Sequence, residues 1–134
     1  MPCINYIKVF NQTLDEFFNE LISIFPENNL IKVRYSLFQT IIKINVKKPC
    51  IEFMEGVLPY IEKIAMRDEE FLTSENTHPF IKQLNLNQTV IKELSDNTKQ
   101  SIWRYIQLFI TIGSKNVETP HEVHDIINYI INYN

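Results

Sequence analysis

Apolar residues recur at helical spacing in five separate segments of this chain, and this periodicity limits the fold more than any other feature of the sequence. Residues three and four positions apart share one face of an α-helix. Helices of this kind become stable by burying their apolar faces against one another. The sequence therefore predicts an all-α fold, a compact bundle of five or six helices that forms a single domain over residues 1–134.

The first helix is predicted to begin at Thr13, because Thr13 followed by Glu16 has the spacing of a capping box. It should end at Pro26. Its narrow apolar stripe, with polar residues opposite, is typical of a helix on the surface of a bundle. Residues 4–10 alternate loosely between apolar and polar side chains, and this alternation predicts an extended segment.

Two segments, Asn29 to Asn45 and Asn97 to Ile112, are apolar over more than half of a helical wheel. Helices with so wide an apolar arc are covered by neighbours on several sides, so both are predicted to be central. Arg34 lies inside the apolar arc of the first segment and is expected to be a partly buried structural charge. Since a buried charge needs a partner, we expect it to pair with a carboxylate of a neighbouring helix. The available carboxylates are Asp15, Glu16, Glu20, Glu52 and Glu55.

Prolines mark the remaining boundaries. Pro49 is placed to open the third helix, and Pro59 should kink that helix because it lacks a backbone donor and crowds the preceding turn. Thr119 and Pro120 have the cap-then-proline order that starts a helix, which predicts the last helix. Residues 67–87 follow no regular period and predict short helical turns and a loop.

Charge and composition exclude several classes of protein. A formal net charge of −3 argues against a protein whose main task is to neutralise phosphates. No apolar run approaches the ~20 residues of a membrane span, so no membrane association is expected. The beginning of the chain lacks the basic region of a signal peptide. Cys3 and Cys50 fit no zinc or redox spacing and are expected to be reduced thiols of an intracellular protein.

Candidate catalytic and metal-binding motifs are weak. His121 and Glu122 begin what resembles a His-Glu-x-x-His motif, but Asp125 stands where the second histidine is required. An ordinary helix N-terminus, where acidic residues are favoured, is the simpler interpretation. The acidic run of residues 68–70 is typical of a solvated loop, and Trp103 is expected in the core. We therefore predict no catalytic residues, no metal, no cofactor and no enzymatic activity.

Four lysines on or near the polar strip of the second helix form the one basic patch that the sequence suggests: Lys32, Lys43, Lys47 and Lys48. Such a patch can contact nucleic acid or an acidic partner. A solvated helix face is the simpler interpretation, so nucleic-acid binding is possible but not favoured.

Two segments resemble a family of small, uncharacterised helical proteins of nucleocytoplasmic large DNA viruses, the giant-virus group. Phe17 to Pro26 is similar to the family's amphipathic helix that ends in Phe-Pro, and Ser101 to Phe109 is similar to its Ile-Trp-Lys-Tyr-Leu-Gln-Leu stretch. Order and spacing agree across residues 10–112, although Arg104 replaces the usual lysine and the final helix has no counterpart. The resemblance implies a viral protein in the host cytoplasm, in a virus factory or in the virion, and it brings no catalytic residues.

The leading hypothesis is therefore a non-enzymatic viral interaction module, an adaptor or scaffold component with a protein partner or a second copy of itself. Its expected contact surface is the end of the last helix, where aromatic residues flank the apolar stripe and no later segment covers it. The residues of this expected surface are Tyr129, Ile130, Ile131 and Tyr133. The alternative hypothesis is a nucleic-acid-associated accessory protein that uses the lysine patch.

Overall fold

The computed structural model describes residues 5–73, 78–83 and 88–133 of the chain, and this part contains helices and turns but no β-strand. The all-α fold predicted from the sequence is confirmed. In chain order the helices are α1 (Tyr6–Ile24), α2 (Asn29–Ile44), α3 (Lys48–Val57), α4 (Ile61–Ala65), α5 (Glu70–Thr73), α6 (Pro79–Gln83), α7 (Gln88–Glu93), α8 (Asp96–Gly113) and α9 (His124–Tyr133), with 3₁₀ turns at Leu58–Tyr60 and His121–Val123.

Helix α1 begins at Tyr6, seven residues before the predicted start, so the extended segment predicted up to Phe10 is wrong for the described residues. Asn5 is the N-cap, and its side chain accepts a hydrogen bond from the Lys8 amide at 3.1 Å. Thr13 lies inside the helix, where its hydroxyl donates to the Val9 carbonyl at 2.8 Å. Thr13 and Glu16 have the spacing of a capping box, but Thr13 does not cap the helix.

Aromatic packing between α1, α3 and α8 explains why α1 starts early. The rings of Phe10, Phe17 and Phe53 all lie against Phe109, with centroid distances of 5.4, 5.4 and 5.3 Å. All four side chains are buried. Phe10 reaches this cluster only from a helix that continues toward the N-terminus, because residues 10, 14 and 17 must share one face. Helix α8, which carries Phe109, is central as predicted.

Pro49 and Pro59 have their predicted roles, but the predicted cap of the last helix is wrong, because Thr119 makes no cap bond and α9 begins only at His124. Pro49 lies in the first turn of α3, and Pro59 occupies a 3₁₀ turn that separates α3 from α4, with its ring exposed to solvent. Pro120 precedes the 3₁₀ turn that leads into α9. The stretch predicted to be irregular contains the short helices α5 and α6, while residues 74–77 and 84–87 lie outside the described residues.

Helix α2 has the predicted bounds within one residue, but its surroundings differ from the prediction. It contacts α1, α3 and α6, and only Ile31 and Phe38 are buried along its length. The expectation that neighbours cover most of its circumference is therefore wrong. A wide apolar arc on the wheel indicates how much apolar surface a helix carries, and here part of that surface remains in contact with solvent.

Candidate interaction surface

Helix α2 carries two apolar faces instead of one broad one. Its inner face consists of Ile31, Tyr35, Phe38 and Ile42, spaced four, three and four residues apart. This face packs on α1, where Phe18 lies 5.4 Å from the Tyr35 ring and 5.5 Å from the Phe38 ring between centroids. The inner face attaches α2 to the bundle and accounts for about half of its apolar residues.

A hydrogen bond fixes the rotation of α2 about its own axis. The Tyr35 hydroxyl donates to a carboxylate oxygen of Asp15 at 2.6 Å, and Asn19 donates to the same hydroxyl at 3.3 Å. The hydrogen bond to Asp15 raises the pKa of Tyr35 above its ordinary value, which keeps the phenol protonated at neutral pH. With Tyr35 held against α1, the opposite side of α2 is turned to solvent.

The outer stripe of α2, as we call it, consists of Leu30, Val33, Leu37, Ile41 and Ile44. On a helix of 100° per residue these positions fall within an arc of about 80°. Leu30, Val33, Leu37 and Ile44 are exposed to 49%, 53%, 45% and 81%, and Ile41 is half-buried. The stripe runs over the fifteen residues from Leu30 to Ile44, or roughly 21 Å along the axis. Four large apolar side chains thus form one exposed line on a single helix.

A groove with a volume of about 630 Å³ separates α2 from α3 and the start of α6. Leu37 and Ile41 of the outer stripe line one wall, so the stripe and the groove form a continuous surface. The opposite wall carries Glu52 and Glu55, both exposed. Glu52 pairs with Lys48 on its own helix at 3.7 Å. This arrangement is an apolar floor with acidic side chains along one edge.

Arg34 lines the same groove and is half-buried, as the sequence predicted. No ion pair of Arg34 lies within 4.0 Å in the part of the chain that the structure describes, although Glu52 and Glu55 line the groove with it. The predicted pairing with a carboxylate is therefore not formed there. Partial exposure gives the physical reason, because water reaches the guanidinium and removes the need for a buried partner.

The surface predicted at the end of α9 does not form as expected. Ile130 is buried and belongs to the core, and Ile131 is half-buried with its carbonyl accepting from Gln107 at 3.2 Å. Tyr129 is exposed, while the side chain of Tyr133 lies outside the described residues. Helices α4 and α8, which come earlier in the sequence, cover this stripe.

The structure separates the four lysines of the predicted patch. All four are exposed, but Lys32 and Lys43 lie eleven residues apart on α2, roughly 16 Å along the axis. Lys43, Lys47 and Lys48 gather at the C-terminal end of α2. Asp15 and Glu16 line a second groove beside Lys47, so carboxylates accompany the positive charge at this end.

Groups with catalytic potential are engaged in ordinary structural contacts. His124 Nε2 donates to the Thr119 carbonyl at 2.9 Å, and the rings of His121 and His124 lie 5.3 Å apart between centroids. Glu69 pairs with Lys99 at 2.9 Å. Among the described residues, no cluster of three or more histidine, cysteine or acidic side chains has the arrangement to hold a metal ion.

The remaining predicted groups lie within the fold. Trp103 is buried beside Phe71, with 6.2 Å between ring centroids. Cys50 is a buried free thiol whose pKa is raised by burial, and Asn116 donates to its sulfur at 3.7 Å. Cys3 lies outside the described residues. None of the helices in the described part is long and apolar enough to span a membrane.

The outer stripe was missed in the sequence because its residues and those of the inner face merge into one arc on the wheel. The spacing distinguishes them. Positions 30, 33, 37, 41 and 44 form one regular series, and positions 31, 35, 38 and 42 form another. Two complete series on one helix indicate two contact surfaces. Comparison of the chain with protein-family models, curated proteins and solved structures finds no match.

Proposed function

We propose that this chain is a non-enzymatic interaction module, an adaptor or scaffold component, that binds a protein partner through the outer stripe of α2. The observation that supports the proposal is the line of four exposed apolar side chains on one helix. Single apolar residues are common on protein surfaces, whereas contiguous apolar patches bordered by polar residues mark sites of interaction. In keeping with the family resemblance, the proposal places this activity in an infected cell, in the host cytoplasm.

The polar border of the stripe also fits a protein contact. Ser36 and Thr40 flank one side, and Arg34 with the exposed Glu52 and Glu55 flanks the other. An apolar centre with a polar rim is the usual anatomy of a protein–protein interface. Phosphate binding would instead require a dense positive surface, and the lysines at the end of α2 are mixed with carboxylates.

Co-purification with a stripe variant tests the proposal. The tagged chain, its Val33→Glu/Leu37→Glu variant and a Met66→Glu control would be expressed in the cells that naturally contain the protein. Met66 is exposed to 80% and lies outside α2, so the control adds one carboxylate at an exposed apolar position elsewhere. We expect the partner to be retained by the wild type and the control, and reduced at least about tenfold by the stripe variant.

Equal recovery of every bound protein by the three forms would contradict the proposal. Circular dichroism and urea unfolding would first establish that the variant is folded, which is expected because both substituted side chains face solvent. A salt titration with DNA and RNA addresses the lysines separately. Binding with a steep dependence on salt that survives Val33→Glu/Leu37→Glu would favour the nucleic-acid alternative instead.

A further inference from the structure

We infer that the partner of the outer stripe is a second copy of this chain, with the two α2 helices paired antiparallel about a twofold axis at Leu37. The inference rests on the proposed function and deepens it, because it names the occupant of the same surface. A homodimer of this kind would make the chain a symmetric building block whose contact surface is used twice.

The spacing of the outer stripe is the first reason. Its residues follow one another at intervals of three, four, four and three, and this series is the same when it is read backwards from Ile44. A twofold axis at Leu37 therefore places Leu30 opposite Ile44 of the second copy. Val33 lies opposite Ile41, and Leu37 lies opposite itself. Antiparallel pairing thus brings apolar side chains together in every layer, as an isologous interface requires.

Charge at the two ends of α2 is the second reason, and it selects the antiparallel arrangement. Lys43, Lys47 and Lys48 gather at the C-terminal end of each helix. A parallel pair would bring the exposed Lys47 side chains of the two copies side by side, whereas an antiparallel pair about Leu37 keeps them at opposite ends, roughly 24 Å apart. The antiparallel pair also sets the positive end of each helix dipole beside the negative end of the other.

The turns that flank α2 complete this charge complementarity. Glu27 is exposed in the turn before α2, and Lys47 is exposed in the turn after it. In the antiparallel pair, the turn that carries Glu27 lies next to the second copy's turn that carries Lys47, and symmetry forms this contact twice. Within one chain the same two residues lie at opposite ends of a sixteen-residue helix, roughly 24 Å apart, and cannot meet.

Cysteine cross-linking tests the register directly. Leu37→Cys, Leu30→Cys and Ile44→Cys would each be made with Cys3→Ser, and the buried Cys50 would be retained. A disulfide forms only when the two Cα atoms come within about 7 Å. We expect Leu37→Cys to cross-link with itself, and Leu30→Cys to cross-link only when mixed with Ile44→Cys. Met66→Cys, at an exposed position away from α2, measures random collision.

Three cross-linking outcomes would overturn the inference. Self-linking of Leu30→Cys and of Ile44→Cys would indicate a parallel pair. Cross-linking of Leu37→Cys no faster than that of Met66→Cys would indicate that α2 does not pair at all. Efficient linking of Leu30→Cys with Leu37→Cys would indicate a different register.

Sedimentation equilibrium across a concentration series from about 1 µM to about 1 mM provides an independent measurement. We expect the wild type to dimerise and Leu37→Glu, which places two carboxylates at the axis, to raise the dissociation constant at least about 100-fold. Met66→Glu should leave the dissociation constant unchanged.

A charge exchange tests the contact between the flanking turns. Glu27→Lys should weaken the dimer about three- to tenfold, and Glu27→Lys/Lys47→Glu should restore its affinity. Only a contact between copies explains such a rescue.

These results separate the inference from the proposed function. In one outcome the wild type stays monomeric at every concentration, but a different protein co-purifies with it and not with Val33→Glu/Leu37→Glu. The homodimer is then excluded, and the proposed function as an interaction module is supported. If the wild type is monomeric and no protein depends on the stripe, both are excluded.

Discussion

His78 lies buried where the start of α6 meets α3. Its ring packs on Phe53 with 5.1 Å between centroids, and its Nε2 lies 3.1 Å from the Phe53 carbonyl oxygen. Since a carbonyl only accepts, Nε2 carries the proton of this bond. Burial lowers the pKa of His78 below its ordinary value, and the bond to the carbonyl opposes this effect in part. The neutral imidazole is therefore the form that the fold contains.

We expect His78 to make the free energy of unfolding depend on pH. The unfolded chain binds this proton near pH 6.5, whereas the folded chain binds it only at lower pH. The contribution of His78 is thus fully present above about pH 6.5 and is lost as pH falls from there through the folded-state pKa. Urea unfolding at a series of pH values measures this slope. His78→Gln should flatten this slope, and parallel profiles for wild type and His78→Gln would contradict the prediction.

The His78 ring lies against Gly56, where the absence of a side chain leaves room for it. A Cβ added at Gly56 would lie 2.5 Å from His78 Nε2 and 2.7 Å from Cδ2, which is an overlap with a rigid ring. At Gly113 the added Cβ would instead lie 2.5 Å from the sulfur of Met54, whose unbranched side chain can adopt another rotamer. We expect Gly56→Ala to reduce the free energy of unfolding by about 1–3 kcal/mol, and Gly113→Ala to reduce it by less. Urea unfolding of the pair is the measurement, and equal losses would argue against the ring overlap.

Among the elements, α1 shows most clearly that tertiary packing can outweigh a local capping motif in determining where a helix begins. The Thr13 capping box predicts a start at that residue, but the helix continues back to Asn5 because Phe10 is buried in the aromatic cluster with Phe109. Burying a phenylalanine contributes roughly 1.5–3 kcal/mol, more than the ~1 kcal/mol typical of a cap. The larger contribution determines where the helix begins.

Asn5→Ala tests this start directly. The substitution removes the hydrogen bond that the Lys8 amide donates to the Asn5 side chain, and we expect it to reduce the free energy of unfolding by about 1 kcal/mol. Gln12→Ala, at an exposed position in the middle of α1, is the control and should change it by less than about 0.5 kcal/mol. A smaller effect for Asn5→Ala than for Gln12→Ala would mean that the helix starts later.

Elements whose boundaries depend on local chemistry could be predicted from the sequence. The bounds of α2 and α8 and the interruption at Pro59 follow from periodicity, caps and the missing proline donor. What covers each helix could not be predicted, because a wheel contains no information about neighbours. The inner face and the outer stripe of α2 therefore merged into one arc, and the exposed surface was assigned to α9 instead.

At the scale of the whole molecule, helices α9 and α2 differ in how much of their apolar surface is covered by the rest of the fold. Helix α9 packs against α4 and α8, and its Ile127 and Ile130 are buried there. Helix α2 packs on α1 by its inner face and leaves four residues of the outer stripe exposed to solvent. One of the two partners of α9, helix α4, lies far from it in the sequence, so the sequence pattern alone does not reveal this cover. This difference between α9 and α2 is the reason that the candidate interaction surface lies on the second helix and not on the last.

Substitutions in α9 and in α2 should therefore affect different properties, the stability of the fold for α9 and self-association for α2. Ile130→Ala creates a cavity in the core, and we expect it to reduce the free energy of unfolding by about 2–5 kcal/mol. Tyr129→Ala, on the more exposed side of the same helix, should reduce it by less than Ile130→Ala does. Leu37→Ala should change the stability of the monomer little and should weaken association instead. Urea unfolding at low protein concentration and sedimentation at high concentration measure the two effects separately. A strong loss of association in folded Tyr129→Ala, with none in Leu37→Ala, would return the interaction surface to α9.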